Sequence, residues 1–151
     1  MSGYLLDTSI LSAFAPGGPP IAKDVANWVV TQGEKQTLFI PVIAITEIKK
    51  GIRKLDRAGA KGRVDSLTVW LNDTIEGFAD QILGINADIA RRAGRMEEAA
   101  SAKGKNPGLA DTLIAATAAV NGLTVVTTNV RHFEALDVLC WNILQDPPGF
   151  D

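Results

Sequence analysis

Short apolar runs alternate along this chain with longer segments of helical period, and this alternation limits the possible folds more than any other feature. Apolar runs of four to six residues separated by amphipathic helices are typical of an α/β domain with a mainly parallel sheet. The predicted strands are residues 4–7, 38–42, 82–85, 124–127 and 138–141. We therefore expect a single domain over residues 1–151, with a central sheet of about five strands flanked by helices.

Helices are predicted in the intervals between these strands. Apolar residues at helical spacing mark helices around residues 21–29, 45–55 and 64–71. The breaker run at residues 16–20 ends a short helix before them, and a long helix is predicted from Asn86 to Ala102. The next helix is expected to begin with Asn106 as its N-cap and Pro107 in its first turn, and to end at residues 121–122.

Three acidic residues occupy positions that ordinary surface carboxylates do not explain well. Asp7 closes the first apolar run, where parallel sheets border their ligand crevice, although an aspartate there can also simply cap the next helix. Glu47 lies at the edge of a buried helix face, where a plain surface glutamate is the commoner explanation. Asp111 is predicted in the second turn of its helix, too deep to cap it, with no lysine or arginine at helical spacing to pair with.

A parallel sheet can bring Asp7, Glu47 and Asp111 to one edge. Carboxylates about 5 Å apart repel each other by roughly 3 kcal/mol per pair at an effective dielectric constant of about 20. Protons can neutralise such a cluster in part, but hard oxygen ligands point to Mg²⁺ or Mn²⁺. With a single histidine and a single cysteine in the chain, the usual kind of zinc site is excluded.

Basic residues are concentrated in one part of the chain, although the formal net charge of −2 gives no overall attraction to nucleic acid. The concentration comprises Lys49, Lys50, Arg53, Lys54, Arg57, Lys61 and Arg63. Alone, it is more simply explained as a solvated helix face. Beside a site that cuts phosphodiesters, it would follow the nucleic-acid backbone, with an affinity that falls as salt rises.

No segment of the sequence looks like a leader or a membrane span. Residues 1–10 have neither a basic start nor a long apolar run, and no stretch reaches the roughly 18 apolar residues of a spanning helix. We therefore expect a cytoplasmic protein that does not enter a membrane.

Four motifs, in this order, resemble those of the PIN-domain family. They are LLDTS at 5–9, ITEIKKGI at 45–52, ADTLIAATA at 110–118 and VVTTNVRHF at 125–133, and they span nearly the whole chain. In detail the chain is similar to the bacterial VapC-type toxins of VapBC toxin–antitoxin pairs, including the FitB-like branch. The resemblance implies a PIN-like α/β fold and a metal-dependent ribonuclease that hydrolyses RNA phosphodiesters.

The resemblance also implies roles for individual residues. By position, Asp7, Glu47 and Asp111 would be the catalytic acids that bind Mg²⁺ or Mn²⁺, with the hydroxyls of Thr8 and Thr127 beside them. The RNA-binding residues would come from the basic segment, namely Lys49, Lys50, Arg53, Lys54 and Arg57. The partners implied are RNA, a small VapB-like antitoxin that blocks the acidic site, and a second copy of the chain in a homodimer.

The last motif departs from the family pattern. Many members have a fourth acid at the position of Asn129 or three residues later, where this chain has Asn129 and His132. An amide can still support the site, by ligating a metal through its carbonyl oxygen or by holding a metal-bound water, but it adds no charge. The four-acid pattern is therefore incomplete in this chain.

Two other functions fit part of the pattern. A catalytically silent PIN-fold interaction module, which binds a partner protein or nucleic acid, would keep the fold without needing a metal. A phosphotransfer enzyme of the haloacid-dehalogenase or receiver type also has an aspartate after its first strand. That class requires D-x-D or a second acidic pair, whereas this chain reads Asp7-Thr8-Ser9.

Overall fold

The computed structural model describes residues 3–149, and its centre is one parallel sheet. The strands are β1 (Tyr4–Leu6), β2 (Leu38–Pro41), β3 (Ile82–Leu83), β4 (Thr124–Val126) and β5 (Cys140–Trp141). Their order is β3-β2-β1-β4-β5, and every neighbouring pair is parallel. The α/β class and the five-stranded parallel sheet are therefore confirmed, although each strand is shorter than its predicted run.

Helices connect the strands and flank the sheet. They are α1 (Thr8–Ala13), α2 (Lys23–Glu34), α3 (Val42–Arg57), α4 (Lys61–Phe78), α5 (Ala87–Ala102), α6 (Leu109–Asn121) and α7 (Val130–Glu134). The helices predicted around residues 21–29, 45–55 and 64–71 correspond to α2, α3 and α4. Among the helices of residues 3–149, none combines the length and the apolar character that crossing a membrane requires.

The hydrophobic core lies on both faces of the sheet, because neighbouring residues of a strand point in opposite directions. In β1, Leu6 packs in a cluster with residues of α1 to α4, such as Ile10 and Ile52. Leu5 packs on the other face with α6 and α7, against Ile114 among others. Full burial of a leucine contributes roughly 1.5–3 kcal/mol, so β1 is held firmly from both sides.

Asparagines precede both α5 and α6, but only one of them caps its helix. The helix predicted from Asn86 to Ala102 is α5; Asn86 is its N-cap, and the Asn86 side chain accepts a 2.9 Å hydrogen bond from the N–H of Ile89. The prediction for Asn106 is wrong, because α6 begins at Leu109 with Gly108 as its N-cap. Gly108 has a φ of +87°, a conformation that glycine adopts readily and that keeps the preceding residues out of the helix.

This later start of α6 changes the position of Asp111. Asp111 lies in the first turn of the helix, and not in the second turn as the sequence predicts. The backbone N–H groups of a first turn have no partner within the helix, and the helix dipole favours a negative charge there. The charge of Asp111 is therefore better accommodated than the sequence indicates.

Candidate active site

Asp7 lies at the carboxyl end of β1 and is only 2% exposed. Its Oδ2 accepts hydrogen bonds from Thr127 Oγ1 at 2.7 Å and from Ser9 Oγ at 2.9 Å. Asp7 occupies the N-cap position of α1, but its side chain makes no capping hydrogen bond, so capping does not explain the residue. Within residues 3–149 the carboxylate makes no salt bridge, and hydroxyl partners bring no positive charge.

The hydroxyl groups around Asp7 also join the turns that follow β1 and β4. Thr127 is fully buried, and its Oγ1 accepts the backbone N–H of Asn129 at 2.9 Å while it donates to Asp7. Ser9 Oγ accepts the backbone N–H of Thr128 at 3.0 Å. The Asp7 carboxylate is therefore held in place from two neighbouring strand ends.

Glu47 lies in the second turn of α3 and is half-buried, at the edge of the buried face as predicted. Its Oε1 accepts a 2.6 Å hydrogen bond from Thr8 Oγ1. Thr8 directly follows Asp7 in the chain, so this bond brings α3 beside the end of β1. Thr8 therefore links Glu47 to the chain segment that carries Asp7.

Asp111 has a partner that the sequence analysis missed. His132 Nδ1, on α7, lies 2.7 Å from Asp111 Oδ2. Burial raises the pKa of Asp111, the hydrogen bond from His132 lowers it, and the nearby negative charge of Asp7 raises it. The charge of Asp7 therefore acts electrostatically on Asp111.

All three predicted acids share one arrangement of their oxygens. In Asp7, Glu47 and Asp111, one carboxylate oxygen accepts a hydrogen bond, and the other accepts none from residues 3–149. In the same region no buried side-chain oxygen lacks a partner, so solvent reaches the second oxygen of each acid. These solvent-reached oxygens are available to a ligand.

The three acids do not form a single compact cluster, in contrast to the spacing of about 5 Å that the sequence analysis assumes. Across residues 3–149, no group of three histidine, cysteine, aspartate or glutamate residues is close enough to hold a metal ion together. Asp7 and Asp111 remain as a pair of carboxylates that interact electrostatically. Such a pair suits Mg²⁺, which commonly binds one or two carboxylates and keeps several of its waters.

Asn129 contributes to this site through its backbone N–H, which donates a hydrogen bond to Thr127 Oγ1. It directly precedes α7, is exposed, and makes no capping hydrogen bond with its side chain.

Ser9 is a site residue that was not predicted from the sequence. A serine two residues after an aspartate is a recognisable local hydrogen-bonding pattern, and it could have indicated this contact.

The predicted RNA-binding residues Lys49, Lys50, Arg53, Lys54 and Arg57 are all exposed on α3. Lys50, Lys54 and Arg57 follow Glu47 at helical spacing, so they form a row on the same side of the helix. Of the five, only Arg53 makes a salt bridge with another described residue. The row therefore leads from the edge of the acidic site along a helix about 24 Å long.

The sequence and the fold are both similar to those of known proteins. The PIN domain family profile matches residues 4–139. Ribonuclease VapC10 of Mycobacterium tuberculosis is 31% identical over 135 residues, which cover 89% of each chain. Toxin FitB of Neisseria gonorrhoeae is 29% identical over 147 residues, which cover 94% of this chain and 99% of FitB.

Solved structures agree with these matches. The crystal structure of FitAcB from Neisseria gonorrhoeae has a TM-score of 0.76 at 28% identity, covering 92% of this chain and 96% of that one. VapBC-5 from Mycobacterium tuberculosis, a member of the VapBC family of toxin–antitoxin systems, shares the fold with a TM-score of 0.56 at 24% identity, covering 90% of both chains.

Proposed function

Because this chain belongs to the PIN domain family, and within it to the VapC-type toxin ribonucleases, we propose that it is a metal-dependent endoribonuclease that hydrolyses RNA phosphodiesters. The observation that carries this proposal is the buried Asp7 carboxylate, which makes no salt bridge within residues 3–149 and whose charge acts on Asp111. A divalent cation between two carboxylates would neutralise both charges. An apo site of this kind would repel RNA, so binding of the cation would also prepare it for a phosphate.

Asp7 and Asp111 would hold the ion through the oxygens that solvent reaches. Their all-oxygen chemistry suits Mg²⁺ or Mn²⁺. When bound, such an ion lowers the pKa of an attacking water and stabilises the charge that develops on the phosphate. Glu47, fixed by Thr8, would ligate as well or accept the proton of that water at Oε2.

Thr8, Thr127 and Asn129 would support this chemistry without taking part in it directly. Thr8 fixes one oxygen of Glu47, and Thr127 fixes one oxygen of Asp7. Asn129 holds the Thr127 hydroxyl through its backbone N–H, which leaves its side-chain amide exposed to solvent. That amide would hold a water at the edge of the site.

The test is RNA cleavage by chelator-treated protein with and without added metal. We expect a mixed RNA pool to be cut when Mg²⁺ or Mn²⁺ is added, and to stay intact when the chelator is present in excess. Cleavage that continues in excess chelator would contradict the proposed role of the metal. Absence of both cleavage and calorimetric metal binding would favour the silent PIN-fold interaction module.

The basic row on α3 is proposed to bind the RNA backbone. The double variant Lys50→Glu with Lys54→Glu is expected to weaken RNA binding by about tenfold or more at low salt, because it would reverse two exposed charges proposed to bind phosphates. Fluorescence anisotropy with labelled RNA would measure this in an Asp7→Asn background, in which the RNA is not cut. The exposed Lys23→Glu on α2 serves as the control. Equal weakening by the control would exclude a specific role for the row.

We also infer two protein partners, a small antitoxin and a second copy of this chain. The antitoxin is supported by the similarity to toxin FitB and to a VapBC toxin–antitoxin system. An arginine of such a partner could pair with the solvent-reached oxygens of the acids. Light scattering of the purified protein would test the dimer, whose expected mass is twice the 16.0 kDa of one chain.

A further inference from the structure

His132 is the only histidine of the chain, and it contacts one of the two acids proposed to hold the ion. Its Nδ1 lies 2.7 Å from Asp111 Oδ2, a short distance typical of a hydrogen bond to a charged group. An ionised carboxylate can only accept hydrogen bonds, so Nδ1 carries the hydrogen and donates it. The side chain of His132 is 56% exposed, so the contact does not result from close packing of the ring.

The backbone that carries His132 is firmly anchored. The N–H of His132 donates to the carbonyl of Asn129 at 3.1 Å, which fixes the first turn of α7. The next residue, Phe133, is fully buried and belongs to the same core cluster as Ile114 of α6. The helix that carries Asp111 and the helix that carries His132 are thus packed together independently of the hydrogen bond between them.

The other two predicted acids are held by hydrogen bonds in the same way. Thr127 and Ser9 hold one oxygen of Asp7, and Thr8 holds one oxygen of Glu47. Hydrogen bonds of this kind orient metal-binding side chains, and their loss commonly weakens metal binding. At Asp111 the imidazole of His132 makes the corresponding hydrogen bond.

We propose that His132 is a positioning residue for metal binding, which holds Oδ2 of Asp111 so that Oδ1 would remain available to the ion. This inference rests on the proposed function, because it assumes that Asp111 is a ligand. The opposite arrangement is a histidine that competes with the ion for the same carboxylate. The two arrangements predict opposite changes in metal affinity when the imidazole is removed.

The experiment measures Mn²⁺ binding by isothermal titration calorimetry in the absence of RNA. His132→Ala is expected to weaken Mn²⁺ binding by about 10- to 100-fold. His132→Asn is expected to restore most of the affinity, because its side-chain amide can donate from nearly the same place as Nδ1. Arg131→Ala is the matched control, since it removes a positive charge from the exposed surface of the same helix.

Each outcome separates this inference from the proposed function. Equal or tighter Mn²⁺ binding by His132→Ala, with normal binding by the parent, would overturn the positioning role and leave the proposed function intact. A comparable loss in Arg131→Ala would also overturn it, since the effect would then not be specific to the imidazole. A parent protein that binds no Mn²⁺ would remove the proposed function and this inference together. Circular dichroism of each variant checks that it is folded.

Discussion

Replacing Asp7 with asparagine is expected to lower metal-dependent RNA cleavage by at least about 100-fold, because an amide lacks the charge that attracts a divalent ion. The fold should persist, since the asparagine oxygen can still accept the hydrogen bonds of Thr127 and Ser9. Initial rates on labelled RNA at fixed Mg²⁺ would measure the effect. The exposed Asp65→Asn on α4 is the control. A rate in Asp7→Asn equal to that of the control would exclude Asp7 from the chemistry.

The substitution Asp111→Asn tests whether Asp111 serves the chemistry of the site or the stability of the fold. Burial raises the pKa of Asp111 above its ordinary value of 3.8, so its ionised form lowers the stability of the fold. The stabilisation that comes from the protonated carboxyl is fully present below pH 3.8 and is lost as the pH rises through the higher pKa of the folded state. At neutral pH, metal-free Asp111→Asn should therefore melt no lower than its parent. A large fall in its melting temperature would indicate a structural role.

Truncating Phe133 to alanine is expected to lower the free energy of unfolding by about 3–5 kcal/mol. Phe133 has no exposed surface and packs with Leu5, Ile114 and Leu136, among others, on one face of the sheet. Since small domains are stable by only about 5–15 kcal/mol, this loss is a large part of the total. Urea denaturation followed by circular dichroism would measure it.

The neighbouring residue supplies the control for this prediction. Glu134 is exposed on the same short helix, so Glu134→Ala should change stability by no more than about 0.5 kcal/mol. If Phe133→Ala costs as little as the control, α7 would not be anchored by this side chain. The rigid anchoring of the His132 backbone would then be disproved as well.

Local patterns were sufficient to predict the sheet and the position of Asp7. A strand buried on both faces needs a continuous apolar run, so β1 and β4 can be recognised in the sequence. The position of Asp7 after such a run follows from the same pattern. The edge strands β3 and β5 each have only two residues, and their predicted runs therefore extended too far.

Contacts between distant parts of the chain could not be predicted in this way. His132 lies 21 residues beyond Asp111 on another helix, and spacing along one helix cannot reveal such a partner. The start of α6 was missed because a favourable asparagine and proline precede Gly108, whose positive-φ backbone decides the boundary. The compact three-acid cluster was overestimated because sheet topology brings residues to the same edge without fixing their distances.

The hydrogen bond between Thr127 and Asp7 joins residues 120 positions apart, and this separation has a consequence during protein synthesis. A ribosome adds residues in order, so all three acids are made before β4 and α7. Until those elements emerge, Asp7 lacks its buried hydroxyl partner and Asp111 lacks its imidazole. A nascent chain, or one truncated before β4, therefore carries the acids in an unassembled form. The complete arrangement can form only after β4 and α7 have been translated.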